Sequence, residues 1–90
     1  MNETLTLLIR SREGIIYHGE IKSLTSVNEQ GRFDILAGHA NFISLIKEIL
    51  IIRETTGEAK EIKITDGILR VDKKKVEIYL GLEGKRPVNV

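Results

Sequence analysis

Short apolar segments recur about every 8–12 residues along this chain, with turn-forming residues between them. This spacing narrows the possible folds more than any other feature. The branched apolar residues are 14 isoleucines, 10 leucines and 5 valines, whereas alanine occurs only three times. Branched side chains pack well on a pleated surface, so this balance favours strands over helices. Regularly spaced strands separated by turns predict an antiparallel β-sandwich.

Several segments alternate apolar and polar side chains with the period of a half-buried strand. The clearest lies near the end of the chain, where Val76, Ile78 and Leu80 alternate with polar neighbours. Leu8 and Tyr79 stand on otherwise polar faces, either as partner contacts or as scattered exposed apolar residues. The strand segments indicated by these patterns lie within residues 4–11, 15–18, 21–27, 32–36, 42–46, 49–53, 60–65, 68–71 and 76–80.

A polar corner at residues 37–41 separates two of these segments. Gly38 and Asn41 favour turn geometry, so we expect a strand, a tight corner and a second strand here rather than a helix. Such a corner is compatible with ligand binding, with partner contact or with simple chain reversal.

The composition argues against several classes of function. The net charge is +1, from 14 basic and 13 acidic residues, and tryptophan is absent, so nucleic-acid binding is not expected. The absence of cysteine excludes disulfides and thiolate chemistry. The first residues lack the features of a secretory signal. The longest apolar run, Ile49–Ile52, is far too short to span a membrane, so we expect any membrane association to go through a protein partner.

The polar residues show no catalytic pattern. The only histidines, His18 and His39, are 21 positions apart, and no pair of aspartates has the spacing of a metal site or a carboxylate dyad. No glycine-rich phosphate loop occurs either. An enzyme using His39 and Asp34 would need a concave pocket that the sequence does not predict. We expect no catalytic residue, no cofactor and no metal ion.

The residues around the polar corner resemble the signature of the epsilon subunit of F-type ATP synthases. The segments that carry this resemblance are Gly31-x-Phe33-x-Ile35-Leu36-x-Gly38-His39-Ala40, Gly19-Glu20-Ile21-x-x-Leu24 and Asp66-Gly67-Ile68-Leu69-Arg70-Val71. Their order and spacing hold across roughly residues 5–80. The departures from the family pattern are Ala37 and Asn41 in place of prolines, and Glu48 and Asp66 in place of glycines.

The resemblance implies an all-β fold, a flattened antiparallel two-sheet β-sandwich of about 8–10 short strands. We expect it to span residues 1–81, with 82–90 as a short carboxy-terminal tail. It also implies a non-catalytic rotor subunit in the central stalk, held at the cytoplasmic face of the bacterial membrane by the gamma subunit and the c-ring. The residues expected at the c-ring are Glu29, Gln30, Gly31, Arg32, Gly38, His39, Ala40 and Asn41. Leu8 and Tyr79 are weaker candidates for contact with gamma.

Typical members of this family continue into a carboxy-terminal helical hairpin linked to ATP binding. Only about ten residues follow the last predicted strand, and Gly81, Gly84 and Pro87 oppose a helix there. We therefore expect a complete short form that does not bind ATP, the alternative being a truncated longer chain. A different class of function, a stand-alone β-sandwich module for a small ligand, a carbohydrate or a protein, also remains open, although few aromatic residues are available for sugar stacking.

Overall fold

The computed structural model describes residues 3–38 and 41–81, and this part of the chain forms six β-strands without a helix. The predicted tail at 82–90 lies outside the described residues. The strands are β1 (Leu5–Ser11), β2 (Gly14–Asn28), β3 (Gly31–Leu36), β4 (Phe42–Glu54), β5 (Ala59–Asp72) and β6 (Lys75–Leu80).

These strands form one sheet that closes on itself. The order is β1-β6-β5-β4-β2-β3, and β1 pairs with β2 as well, so β3 is the one described strand outside the closed ring of five. The first half of β2 pairs with β1, and its second half lies between β3 and β4. The result is a flattened barrel with two layers, consistent with the predicted β-sandwich. The strand–corner–strand prediction is also confirmed by β3 and β4.

The six strands are fewer than the predicted 8–10 because three of them are long. β2, β4 and β5 contain 15, 13 and 14 residues, and each runs through a position at which the sequence pattern indicates a strand end. Those positions are Gly19 in β2, Glu48 in β4 and the pair Asp66–Gly67 in β5. The sheet is also not wholly antiparallel, since β1 and β6 run parallel and close the ring.

Irregularities in the ladder explain how the long strands continue from one layer to the other. The register shifts twice between β2 and β4, and once between β4 and β5 at Lys47/Glu48. A bulge in β2 is thus confirmed, whereas the irregularity predicted at Asp66–Gly67 lies one residue earlier, at Thr65, which has no partner in the β4–β5 register. Extra residues of this kind bend a strand and increase its twist. At the second β2–β4 shift, the buried Ser26 donates its hydroxyl hydrogen bond to the carbonyl oxygen of Ile49 at 2.8 Å.

The core lies between the two layers and is made only of aliphatic side chains. Every strand contributes to it, because inward-facing positions alternate with outward-facing ones. Its members in the described part of the chain are Leu5, Leu7, Ile9, Ile21, Leu24, Ile35, Ile46, Leu50, Ile52, Leu69, Val71, Val76, Ile78 and Leu80. The aromatic rings of Phe33 and Phe42 pack against this core and meet edge to face, with centroids 6.3 Å apart.

Candidate partner-binding surfaces

An exposed row of side chains crosses the outer surface of one layer, formed by the start of β4, the end of β5, β6, β1 and the start of β2. Cross-strand pairing places Leu45 beside Ile68, Ile68 beside Tyr79, Tyr79 beside Arg10, and Arg10 beside Ile15. Residues paired in this way share one face of a sheet. With strands about 4.8 Å apart, the row extends over about 19 Å.

Several apolar side chains of this surface are exposed to solvent, and the row next to it continues from Ile43 through the charged Arg70 and Glu77 to Leu8 and His18. Ile15, Ile16, Ile43 and Leu45 are 49–69% exposed, and Tyr79 is 37% exposed. We call this surface the apolar outer face; it comprises Leu8, Ile15, Ile16, Ile43, Leu45, Ile68 and Tyr79. Contiguous exposed apolar patches usually mark an interaction site, whereas single exposed apolar residues are normal.

The structure brings the two predicted gamma contacts together on the apolar outer face. Leu8 is half-buried and pairs with His18 on one side and Glu77 on the other. Tyr79 lies diagonally across from Leu8, two residues beyond Glu77, and the Arg10 guanidinium carbon is 5.9 Å from the centre of its ring.

Sequence reasoning missed the other members of this face. Ile43 and Leu45 alternate with the core-facing Phe42, Ser44 and Ile46, so they point outward. That alternation was visible in the sequence, but a run of five mostly apolar residues does not reveal which face is covered. Ile15 and Ile16 are both exposed because a register shift at this point of the β1–β2 ladder leaves Ile16 without a partner on β1.

The outer surface of the opposite layer is different in character. A row there joins Asp34, Thr25, Ile51 and Glu61, and Thr25 donates its hydroxyl hydrogen bond to Asp34 at 2.6 Å. A neighbouring row contains Leu36, Ser23 and Arg53. We call this surface the polar outer face. The contrast between the two layers indicates which of them a partner covers.

The residues predicted at the c-ring fall into two groups separated by the length of β3. Glu29 and Gln30 form the β2–β3 turn, in which the Gln30 amide donates to the Asn28 side chain at 2.9 Å. Gly31, with φ of +117°, and Arg32 begin β3. Glu29 forms an exposed ion pair with Lys47, at 3.9 Å.

The second group follows β3, about 16 Å along the strand from Gly31. Gly38 adopts a φ of +93°, and Asn41 accepts a hydrogen bond from the backbone amide of Lys73 at 2.8 Å. Asn41 therefore also fixes the β5–β6 turn, where Lys73 has a φ of +60°. His39 and Ala40, which complete the predicted set, lie outside the described residues.

Two polar clusters join strands beside these surfaces. Glu20 on β2 accepts hydrogen bonds from the hydroxyl groups of Thr4 at 2.5 Å and Thr6 at 2.7 Å, and these bonds lower the pKa of its carboxyl group. Tyr17 donates to Glu54 at 2.9 Å, and Lys60 lies 3.4 Å from the same carboxylate oxygen. Partial burial, followed by the bond to Glu54, raises the pKa of the Tyr17 hydroxyl. Both clusters connect neighbouring strands.

Within 3–38 and 41–81, no group of three or more His, Cys, Asp or Glu side chains could hold a metal ion. A shallow depression on the surface is lined by Arg70, Asp72, Lys75 and Glu77, which are all charged side chains. Across the same residues, no helix has the length and apolar character needed to cross a membrane.

Comparison with known proteins gives a consistent picture. Residues 4–80 match the sequence profile of the family described as ATP synthase, Delta/Epsilon chain, beta-sandwich domain. The chain is 38% identical to the ATP synthase epsilon chain of Helicobacter pylori (strain Shi470) over 73% of its own length and 54% of that relative. It is 36% identical to the epsilon chain of a Nitratiruptor species, over 91% of this chain and 67% of that one. The chain thus spans only about half to two thirds of these relatives.

Two solved structures share the fold. The match in the Euglena gracilis mitochondrial ATP synthase, solved as OSCP/F1/c-ring, has a TM-score of 0.78 at 22% identity and covers 86% of this chain and 50% of that one. The match in the Tetrahymena thermophila mitochondrial ATP synthase, solved as central stalk and c-ring, has a TM-score of 0.72 at 15% identity, over 88% and 64%. At such identities the likeness concerns the fold alone.

Proposed function

Because this chain belongs to the ATP synthase delta/epsilon β-sandwich family, we propose that it is a central-stalk rotor subunit of a bacterial F-type ATP synthase. In this proposal it catalyses nothing itself. It binds the gamma subunit and the c-ring, and so couples ion translocation with ATP synthesis. The observation that carries the proposal is the family match over residues 4–80, which includes all six described strands.

The closed architecture supports a mechanical role. A ring of five hydrogen-bonded strands around an aliphatic core deforms little, because each strand in the ring is held on both sides over part of its length. A rigid body between gamma and the c-ring transmits rotation without slipping. The two partners would hold the chain peripherally at the cytoplasmic face of the membrane.

We assign the apolar outer face to the gamma subunit. Its support is the set of isoleucine, leucine and tyrosine side chains that the fold leaves exposed together on this layer, whereas Leu36 is the one large hydrophobic side chain of the described residues exposed on the polar outer face. Covering a leucine or isoleucine side chain contributes about 1.5–3 kcal/mol each. We assign the residues at positions 29–32 and 38–41 to contact with the c-ring.

The test measures binding of the purified chain to the purified gamma subunit of the same organism. We expect a stoichiometric complex. Leu45→Asp should weaken it about tenfold or more, because an aspartate carboxylate would lose its water under an apolar partner. Leu36→Asp, which changes an exposed leucine on the polar outer face, is the matched control and should alter the affinity less than twofold. Absence of a complex with the folded wild-type chain would refute the proposal and favour the stand-alone module.

A further inference from the structure

Arg10 is a charged side chain within the apolar outer face, and no ion pair explains its position, unlike that of Arg70 in the neighbouring row, which pairs with Asp72 at 3.7 Å. Arg10 is flanked by Tyr79 on β6, by Ile15 on β2 and by Leu8 two residues earlier on its own strand. It is therefore surrounded by apolar groups on three sides, within the surface that the proposed function assigns to gamma.

Arg10 has no counter-ion within the described ranges. No carboxylate of residues 3–38 or 41–81 forms an ion pair with it. The nearest acid on the neighbouring strand, Glu77, is paired with Leu8 and so lies diagonally from Arg10. The Tyr79 ring beneath the guanidinium, 5.9 Å away, holds the cation by its π face.

A guanidinium in this position is costly to cover with an apolar surface alone. Removing it from water requires hydrogen-bond acceptors for its five N–H donors, and an opposite charge nearby to offset the lost hydration of the cation. A carboxylate is the group that matches the planar fork with two parallel hydrogen bonds. The cation–π contact with Tyr79 leaves the N–H edges free to form those bonds.

We infer that the partner covering the apolar outer face presents an Asp or Glu carboxylate to Arg10, which pairs with it at the centre of an otherwise apolar contact. This inference rests on the proposed function, in which that partner is the gamma subunit. Arg10 would then determine specificity and register, because an apolar patch alone can be covered in several orientations while a bidentate ion pair admits one.

The test compares Arg10→Leu, Arg10→Lys and Arg12→Glu in binding to the purified gamma subunit. Leucine at position 10 enlarges the apolar surface, so the variant would bind more tightly to a purely apolar partner surface. If the partner presents a carboxylate there, the variant leaves that carboxylate buried and unpaired, and binding weakens. We expect Arg10→Leu to weaken binding about 30-fold or more, and Arg10→Lys to retain part of the affinity. Arg12→Glu, in the exposed β1–β2 turn, is the control and should change the affinity less than threefold.

A charge-swap experiment identifies the residue of the partner that pairs with Arg10. In Arg10→Glu, binding should fall further, and one Asp→Arg or Glu→Arg substitution in gamma should restore it while weakening binding of the wild-type chain. If Arg10→Leu binds as tightly as wild type or more tightly while Leu45→Asp loses binding, the inference is overturned and the docking face stands. If the folded wild-type chain does not bind gamma, the proposed function itself is overturned and this inference with it.

Discussion

At the scale of single residues, the local stability at two positions depends on whether the residue has a Cβ atom. Gly67 is buried in β5, and a Cβ there would lie 2.8 Å from both Leu80 Cδ2 and the Tyr79 carbonyl oxygen. The second contact is with the backbone of β6 and so cannot be relieved by a side-chain rotation. Glycine at this position lets β5 and β6 approach each other.

We expect Gly67→Ala to lower the free energy of unfolding by about 1–3 kcal/mol. Urea denaturation followed by circular dichroism measures it. Gly19→Ala is the matched control, because the atoms nearest to its Cβ would belong to the Tyr17 side chain, at ordinary distances of 3.7 Å and more. A Gly67→Ala variant as stable as Gly19→Ala would contradict the close approach of the two strands.

Glu48 presents the opposite case. It is one of the departures from the family pattern described above. Its φ of +75° lies in the left-handed region. The residue pairs with Ile64, where the β4–β5 register shifts. A side chain in that region costs about 1–2 kcal/mol. The exposed Glu48 therefore keeps a conformation that glycine would adopt without strain.

Replacing Glu48 by glycine should stabilise the chain by about 0.5–1 kcal/mol, after the greater freedom of glycine in the unfolded state is counted. The midpoint of urea unfolding would rise. Glu61→Gly, at an exposed strand position of ordinary φ, should instead be destabilising. Equal losses in both variants would mean that the φ of Glu48 carries no strain.

At the scale of elements, the Glu20 cluster joins β1 to β2 in a pH-dependent way. The hydrogen bonds from Thr4 and then Thr6 lower the pKa of Glu20 below its ordinary value of 4.5. A lowered pKa in the folded state contributes stability above the unfolded value and loses it as the pH falls through the folded value. The contribution is therefore complete at neutral pH and lost in acid.

The wild-type chain should be more stable than Glu20→Gln at pH 7, and this difference should shrink as the pH falls below 4.5. Urea midpoints at pH 7 and in acid provide the measurement. In a Thr4→Val, Thr6→Val background the pH dependence of the difference should be reduced, because the donors are gone. A stability difference between wild type and Glu20→Gln that does not change with pH would show that these bonds do not favour the ionised carboxylate.

At the scale of the whole molecule, the two surfaces assigned to partners lie on different parts of the barrel. The apolar outer face lies on one layer, while Glu29 and Gln30 precede β3 and Gly38 follows it. A rotor part that touches gamma and the c-ring together needs such separate surfaces. Five of the eight residues assigned to the c-ring, namely Glu29, Gln30, Arg32, His39 and Asn41, are charged or polar, as expected for contact with the polar loops of a membrane ring.

Charge reversal tests the second surface. The double variant Arg32→Glu, His39→Asp should weaken association with the c-ring by about tenfold or more and leave the fold intact. Sedimentation with purified c-ring measures association, and circular dichroism checks the fold. Lys63→Glu, on the polar outer face, is the control and should bind like wild type. Unchanged assembly and coupling in the double variant would remove the c-ring assignment.

Local pattern was sufficient for much of this protein. Alternation identified β6 and the inward positions of β1, and Gly38 and Asn41 predicted the corner between β3 and β4. The class of fold follows from such features, since side-chain period and turn chemistry are properties of neighbouring residues. The resemblance to the epsilon family was likewise carried by short motifs at residues 19–24, 31–40 and 66–71.

The pairing of distant strands was decided only by the tertiary structure. Nothing in the sequence reveals that Arg10 on β1 lies beside Tyr79 on β6 in a parallel pair, or that Leu45 and Ile68 continue the same row. Nor could Glu48 be recognised as an interior strand position, because its bulge depends on register with β5. The sequence alone specified which residues alternate; the closure of the barrel determined which outward side chains become neighbours, since contacts between strands are long-range and each depends on all the others.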